Sequence, residues 1–234
     1  MDLSFIIPAY NEAERIGESL EIGLSYFGRQ PYQWEILVVD DGSKDATREI
    51  VQSFLRRGVK LLGQPKNMGK GAAVRRGMIE AHGEYCIFSD ADFSTPVEET
   101  EQALAYLREY HVAIGSRAID RSYVKVHQSW YRETMGKIFN LFVQALAVPG
   151  IKDTQCGFKG FRAEVARTIF SRTKIDGFSF DVEALYIARK LGYSIKEFPV
   201  HWYNDERSTL NPVIDGIQMF RELLKIRSLH KGEF

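Results

Sequence analysis

Tyr85-Cys86-Ile87-Phe88-Ser89-Asp90-Ala91-Asp92 is a short apolar run that ends in two carboxylates one residue apart. Its first five residues read as a strand, and at a strand end the period-two geometry lets Asp90 and Asp92 point the same way. The pattern repeats outward. Strands are expected over residues 4–7, 35–40, 60–62, 85–89 and 112–115, with segments of helical period between them. Such alternation specifies an α/β fold, with a mostly parallel central sheet flanked by helices.

The intervening helices carry recognisable boundaries. After the first strand, Asn11 is placed to cap, Glu14 follows three residues on, and Ile16, Leu20, Leu24 and Phe27 line one face. A second helix begins near Asp45 and stops at Gly58, where a left-handed cap is tolerated. A third follows Gly71. A fourth has Thr95 as cap, Pro96 at the first helical position and Glu98 completing a capping box. Beyond Arg117 the alternation weakens: a loop over 118–128, a helix over 131–146, an irregular piece over 150–161, helices over 163–170 and 181–191, a strand over 194–200, and an amphipathic helix over 211–229. No repeat or Pro/Gly/Ser linker divides the chain, which reads as one domain over 1–234, with 1–117 binding a ligand through strand ends and 118–234 forming the other half.

Composition narrows the classes of function. Lys plus Arg equals Asp plus Glu at 31 each, so no global positive field points to nucleic acid as a partner. Cys86 and Cys156 stand far apart without a CxxC or Cys/His cluster, and read as buried free thiols in a reducing compartment. The chain opens directly into a strand with no targeting segment, so a cytoplasmic location is expected. The longest apolar window, residues 138–148, is interrupted by Asn140 and Gln144 and falls short of the roughly 20 residues a spanning helix needs. The five histidines show no HExxH spacing and no GxSxG accompanies them; they read as structural.

In open parallel sheets, ligands bind outside the carboxyl ends of the strands. Here those ends read Pro8-Ala9-Tyr10-Asn11-Glu12, Asp40-Asp41-Gly42-Ser43, Ser89-Asp90-Ala91-Asp92 and Gly115-Ser116-Arg117. Each alone is compatible with a turn and a helix cap; their convergence on one edge is what marks a site. Asp90 and Asp92 would repel each other unless a hard divalent cation, Mg2+ or Mn2+, sat between them and kept positions open for phosphate oxygens. The competing reading makes them acidic residues suited to a helix N-terminus. Asn67-Met68-Gly69-Lys70-Gly71 fits neither GxxxxGK[ST] nor GxGxxG, so kinase and Rossmann dinucleotide readings fail, yet its amides and Lys70 are placed to face an anion.

With these motifs in place, the chain resembles family 2 glycosyltransferases of the GT-A fold, and within them the polyprenyl-phosphate sugar synthases of the dolichyl-phosphate glucosyltransferase and mannosyltransferase type. The carriers are 6–12, 38–43, 67–71, 90–92 and 115–117. Asp153-Thr154-Gln155-Cys156-Gly157-Phe158-Lys159 and Phe180-Asp181-Val182-Glu183 look most like the glucosyl branch. The resemblance implies that Pro8, Tyr10, Glu12, Val39 and Asp41 embrace the base and ribose of a nucleotide-sugar donor. Asp90-Ala91-Asp92 would serve the metal and diphosphate, and Arg117 would face phosphate. Where several mannosyl relatives carry glutamine, this chain has Ser94, whose hydroxyl would reach the metal directly or through water. Arg207 is the candidate of a late basic loop that closes over phosphates, although Thr209 replaces an expected lysine.

The donor implied is UDP-glucose and the acceptor a polyprenyl phosphate, already ionised and able to attack without a strong base, with inversion. A glycan hydroxyl as acceptor would need a base, for which Asp181 and Glu183 are candidates; both also suit a helix start. A third reading, a nucleotide-sugar-binding regulator without turnover, is disfavoured by the paired aspartates and the acceptor-side half. The basic amphipathic tail, with Ile214, Ile217, Phe220, Leu224 and Ile226 among Arg221, Lys225, Arg227 and Lys231, either packs on its own protein or lies peripherally on the cytosolic face of a membrane.

Overall fold

The computed structural model describes all residues except 127–129 and 204–213. All five expected strands are present, each within two residues at either end: β1 (Leu3–Ala9), β2 (Trp34–Asp40), β3 (Val59–Gly63), β4 (Tyr85–Ser89) and β5 (Val112–Ser116). Helices α1 (Ile16–Phe27), α2 (Thr47–Ser53), α3 (Lys70–Glu80) and α4 (Glu99–Leu107) alternate with them. Then follow β6 (Val124–Val126), α5 (Trp130–Leu146), β7 (Phe158–Arg162), α6 (Ala163–Phe170), α7 (Phe180–Lys190), β8 (Ile195–Pro199), β9 (Trp202–Tyr203) and α8 (Ile214–Leu229).

The main sheet has seven strands in the order β3-β2-β1-β4-β7-β5-β8, and β6 pairs with β9 in a separate ribbon. The chain winds from β1 outward to β3 and then returns to place β4 on the other side of β1. A reversal of that kind opens a crevice at the carboxyl ends of the two strands, and Asp90 directly follows β4. Alternate residues face opposite layers. Ile6, Leu37, Val39 and Phe88 pack toward α3, α6 and α7, while Phe5, Ile7, Ile36 and Val38 pack toward α1, α2 and α4. Both faces are covered, which is why these strands read as continuous apolar runs.

The irregular piece expected over 150–161 contains the main departure. Phe158–Arg162 is a strand, inserted antiparallel between β4 and β5. Its sequence, Phe-Lys-Gly-Phe-Arg, hides it: a lysine and a glycine at the centre look like loop, yet Lys159 is fully buried. That lysine is tolerated because Asp181 on α7 lies 2.8 Å from its Nζ, the Cys156 carbonyl accepts from it and the Phe88 ring lies beneath it at 5.3 Å.

Two helix starts also differ from expectation. Asn11 does not cap α1; at φ 54° it stitches two loops instead, its amide donating to Ser43 Oγ and its Oδ1 accepting from the Lys44 amide. The Thr95 capping box does not form, and α4 begins at Glu99. The preceding segment is drawn aside by the second ribbon, where the Tyr203 amide donates to the Ser94 carbonyl at 2.8 Å. Gly58 does adopt the expected left-handed conformation, at φ 95°, and both cysteines are buried free thiols.

Lys159→Met should lower stability by about 3–5 kcal/mol, because Asp181 is left charged and unpaired in the interior. Adding Asp181→Leu should recover much of that loss in urea denaturation; a purely additive double variant would mean that the two residues are not coupled.

Candidate active site

Asp90 and Asp92 follow β4 in a turn that is anchored from below. Phe93 adopts φ 47° and sets its ring edge-on against Phe5 at 5.8 Å. Ala91 is buried, and its carbonyl accepts from Ser19 Oγ at 2.6 Å, which fastens the turn to α1. Ala91 thus faces the fold, and only its neighbours present carboxylates to the crevice. Asp92 Oδ1 accepts from the Ser94 amide at 2.9 Å, and its Oδ2 lies 3.8 Å from Arg15. Burial, and then the like charge of Asp90, raise the Asp92 carboxyl above the ordinary aspartate value. Asp90 lies against Gly157: a Cβ there would stand 2.0 Å from Asp90 Oδ2. Glycine is therefore required where the 153–159 motif passes under this carboxylate.

Positive groups reach the same place from two other elements. Lys70, the first residue of α3, sets its Nζ 2.5 Å from Asp90 Oδ1. Burial opposes its charge, but the carboxylates of Asp90, Asp181 and Asp92 outweigh burial and hold its pKa above the usual lysine value. Asp181 is only 4% exposed and is raised chiefly by burial, with Lys159 and Lys70 working against that shift. Arg117, after β5, grips Asp153 with Nε at 2.7 Å, Nη2 at 2.9 Å and its amide at 3.0 Å, and lies over the Trp202 ring. Asp153 is lowered because this guanidinium outweighs its burial. The 153–159 motif thus supplies an anchor for Arg117, the glycine beneath Asp90 and the partner of Asp181.

The ends of β1 and β2 are more deeply integrated than the motifs suggest. Asp41 Oδ1 accepts from Gln64 Nε2 at 3.0 Å and the Met68 amide at 2.8 Å, and Oδ2 accepts from the Gly69 amide at 2.8 Å. Burial raises its pKa despite those donors. Asp41 therefore organises the loop before α3. Val39 points its side chain into the core beside Ile6 and Ala73, so only its backbone faces the strand end. Pro8 is buried within β1, Tyr10 is half-buried at its end, and Glu12 is ion-paired with Arg15, its pKa raised by burial.

Two expectations are corrected by these contacts. The amides at the start of α3 do not face an anion: Gly69 donates to Asp41, while Gly71 and Ala72 donate to the Asp176 carbonyl at 2.7 and 3.3 Å. Gly69, at φ 104°, lets the loop approach that carbonyl, where a Cβ would meet oxygen at 2.4 Å. Glu183 does not reach the site. It is fully buried and accepts from the Lys174 and Ile175 amides and from His230 Nε2 at 2.8 Å. Residues two apart on a helix face different ways, so one helix could not aim both Asp181 and Glu183 into one crevice. Arg207 lies outside the described residues.

Among the described residues no three His, Cys, Asp or Glu side chains converge as a metal cage. Asp90 and Asp92, with the Ser94 hydroxyl bonded to Asp92, form a smaller set of hard oxygen donors. Such a set suits Mg2+ or Mn2+ completing its shell with phosphate oxygens and water.

The architecture is the GT-A glycosyltransferase fold. A model of glycosyl transferase family 2 matches residues 4–170. The chain is 37% identical over 241 residues to the dolichyl-phosphate beta-glucosyltransferase of Dictyostelium discoideum, covering 96% of this chain and 73% of that protein. It is 36% identical over 241 residues to the dolichyl-phosphate beta-glucosyltransferase of Homo sapiens, covering 96% and 74%. Among solved structures, glucosyl-3-phosphoglycerate synthase from Mycobacterium tuberculosis in complex with Mn2+, uridine-diphosphate and glucosyl-3-phosphoglycerate superimposes with a TM-score of 0.70 at 17% identity, covering 96% of this chain and 79% of that one. At that identity the likeness is one of fold alone. The chain belongs to glycosyl transferase family 2, in the family of the dolichyl-phosphate beta-glucosyltransferases.

Two substitutions separate scaffold from site. Glu183→Ala should cost about 3 kcal/mol, since it strands buried amides and His230, and should lower the urea midpoint. Gly157→Ala should leave the fold intact but displace the Asp90 carboxylate, weakening binding of UDP with Mn2+ roughly tenfold or more in calorimetry.

Proposed function

We propose that this chain transfers glucose from UDP-glucose, with inversion, to a polyprenyl phosphate on the cytosolic face of a membrane. Residues 1–117 hold the donor and residues 118–234 face the acceptor. Tyr10 and the backbone around Val39 and Asp41 border the nucleoside, and Arg117 and Lys70 meet its phosphates. Asp90 and Asp92, with the Ser94 hydroxyl nearby, would hold Mg2+ or Mn2+, which when bound neutralises charge on the leaving diphosphate.

The observation that carries the reading is the state of the carboxylates on the acceptor side. Asp181 is buried and committed to Lys159, and Glu183 is committed to the scaffold. A hydroxyl acceptor would need one of them free as a base, whereas a phosphate monoester arrives ionised. Its oxygen forms the bond to the anomeric carbon while the bond from that carbon to the UDP oxygen breaks. One displacement inverts the centre, and Arg117 and Lys70 lie where charge collects on the departing UDP.

A lipid acceptor also suits the far side of the chain. Helices α5 and α8 pack together through Phe142 and Phe220, at 5.3 Å between ring centres. They leave Ile138, Leu141, Ile217 and Leu224 exposed, Leu141 by 66%, beside exposed Arg221, Lys225 and Arg227. An apolar surface with basic residues fits an anionic bilayer interface. No helix among the described residues is long and apolar enough to cross a membrane.

The test is release of UDP from UDP-glucose with and without a short polyprenyl phosphate, with Mn2+ or EDTA, for the wild type and Asp92→Asn. Lipid-dependent turnover that EDTA abolishes and the variant loses by roughly a hundredfold or more is expected. Turnover requiring a sugar hydroxyl instead of the lipid would overturn the assignment of the acceptor.

A further inference from the structure

Lys70 stands on the oxygen that the proposed function gives to a cation. Its Nζ lies 2.5 Å from Asp90 Oδ1, and an ammonium group and a divalent ion competing for that oxygen repel each other at contact distance. The backbone of Lys70 cannot withdraw, because Gly69 abuts the Asp176 carbonyl and Gly71 donates to it at 2.7 Å. The side chain can: its stem is unbranched and 24% of it is exposed.

The surrounding charges give that movement a direction. Glu12 offsets the charge of Arg15, which also lies 3.8 Å from Asp92, and Asp153 offsets Arg117. What remains is Asp90, Asp92 and Asp181 against Lys70 and Lys159, one net negative charge. A divalent ion arriving alone reverses the sign of this cluster with Lys70 pressed against the newcomer. A divalent ion arriving with a doubly charged diphosphate leaves the sign unchanged and offers the displaced ammonium a new partner.

We propose that Lys70 is a placeholder counter-ion, which occupies Asp90 until a nucleoside diphosphate and its cation arrive together and then moves its ammonium group to the diphosphate. The proposal rests on the metal-dependent reading above and adds an order to it: the free ion is a poor ligand, and the nucleotide makes it a good one.

The experiment is Mn2+ binding followed by the electron paramagnetic resonance signal of the free ion, with and without UDP. It compares the wild type with Lys70→Met, Lys70→Gln and Lys70→Arg, each checked by circular dichroism and thermal melting. Both neutral variants should take up Mn2+ alone about tenfold more tightly than the wild type or better, and should lose most of the gain that UDP confers. Lys70→Arg, which keeps the charge, should retain the wild-type order. The two neutral variants differ in side-chain polarity, so a fold defect in one leaves the other to decide. If the wild type binds Mn2+ with UDP but neither neutral variant binds the free ion more tightly, the placeholder is refuted and the metal reading stands. If no protein takes up Mn2+ with or without UDP, the metal reading falls and the placeholder with it.

Discussion

An ammonium group inside a β-sheet has to be neutralised, and in this protein the neutralisation of Lys159 by Asp181 ties α7 to the centre of the sheet. Without it, β7 could not occupy the middle of the sheet, between β4 and β5, because the desolvation of an unpaired charge would exceed what one strand's pairing returns. With it, α7 is held against the sheet, and the loop just before α7 is held against the start of α3. The Asp176 carbonyl then receives the Gly71 amide, and Lys70 is delivered to Asp90. One buried ion pair thereby aligns three elements that are far apart in sequence.

The crevice is built from pairs whose charges nearly cancel. Arg117 is locked by Asp153, Arg15 by Glu12 and Lys159 by Asp181, so long cationic side chains are held in place before any ligand arrives. Preorganised charge of this kind needs little rearrangement when negative charge develops on a leaving group. Lys70 differs in that its partner, Asp90, belongs to the carboxylate pair suited to a metal. The rigid pairs frame the crevice, and the exchangeable contact sits at its centre.

Much of the donor half was legible because its signals are local. The alternation of apolar runs and helical period, and the polar residues after each run, depend on neighbours within a few positions. What escaped reading depends on partners distant in sequence. Phe158–Arg162 reads as irregular chain because a lysine at its centre looks like a surface residue, and its partner Asp181 lies on another element. Glu183 stands beside Asp181 in sequence, but helical geometry turns it toward Lys174, Ile175 and His230. Asp41 and the amides before α3 both read as ligand contacts, and in the fold the Asp41 carboxylate accepts from the Met68 and Gly69 amides. The scaffold role of Asp153 and Gly157 carried no local signal beyond their place in a motif.

By itself, the sequence determined the class of fold, the edge of the sheet that carries the candidate site and the family, because hydrophobic period and strand-end chemistry are properties of short segments. Only the tertiary structure decided which charges stand free at that edge and which are spent on holding it. That division follows from burial and pairing across the sheet, where a carboxylate's role is set by whichever donor the fold brings within about 3 Å of it.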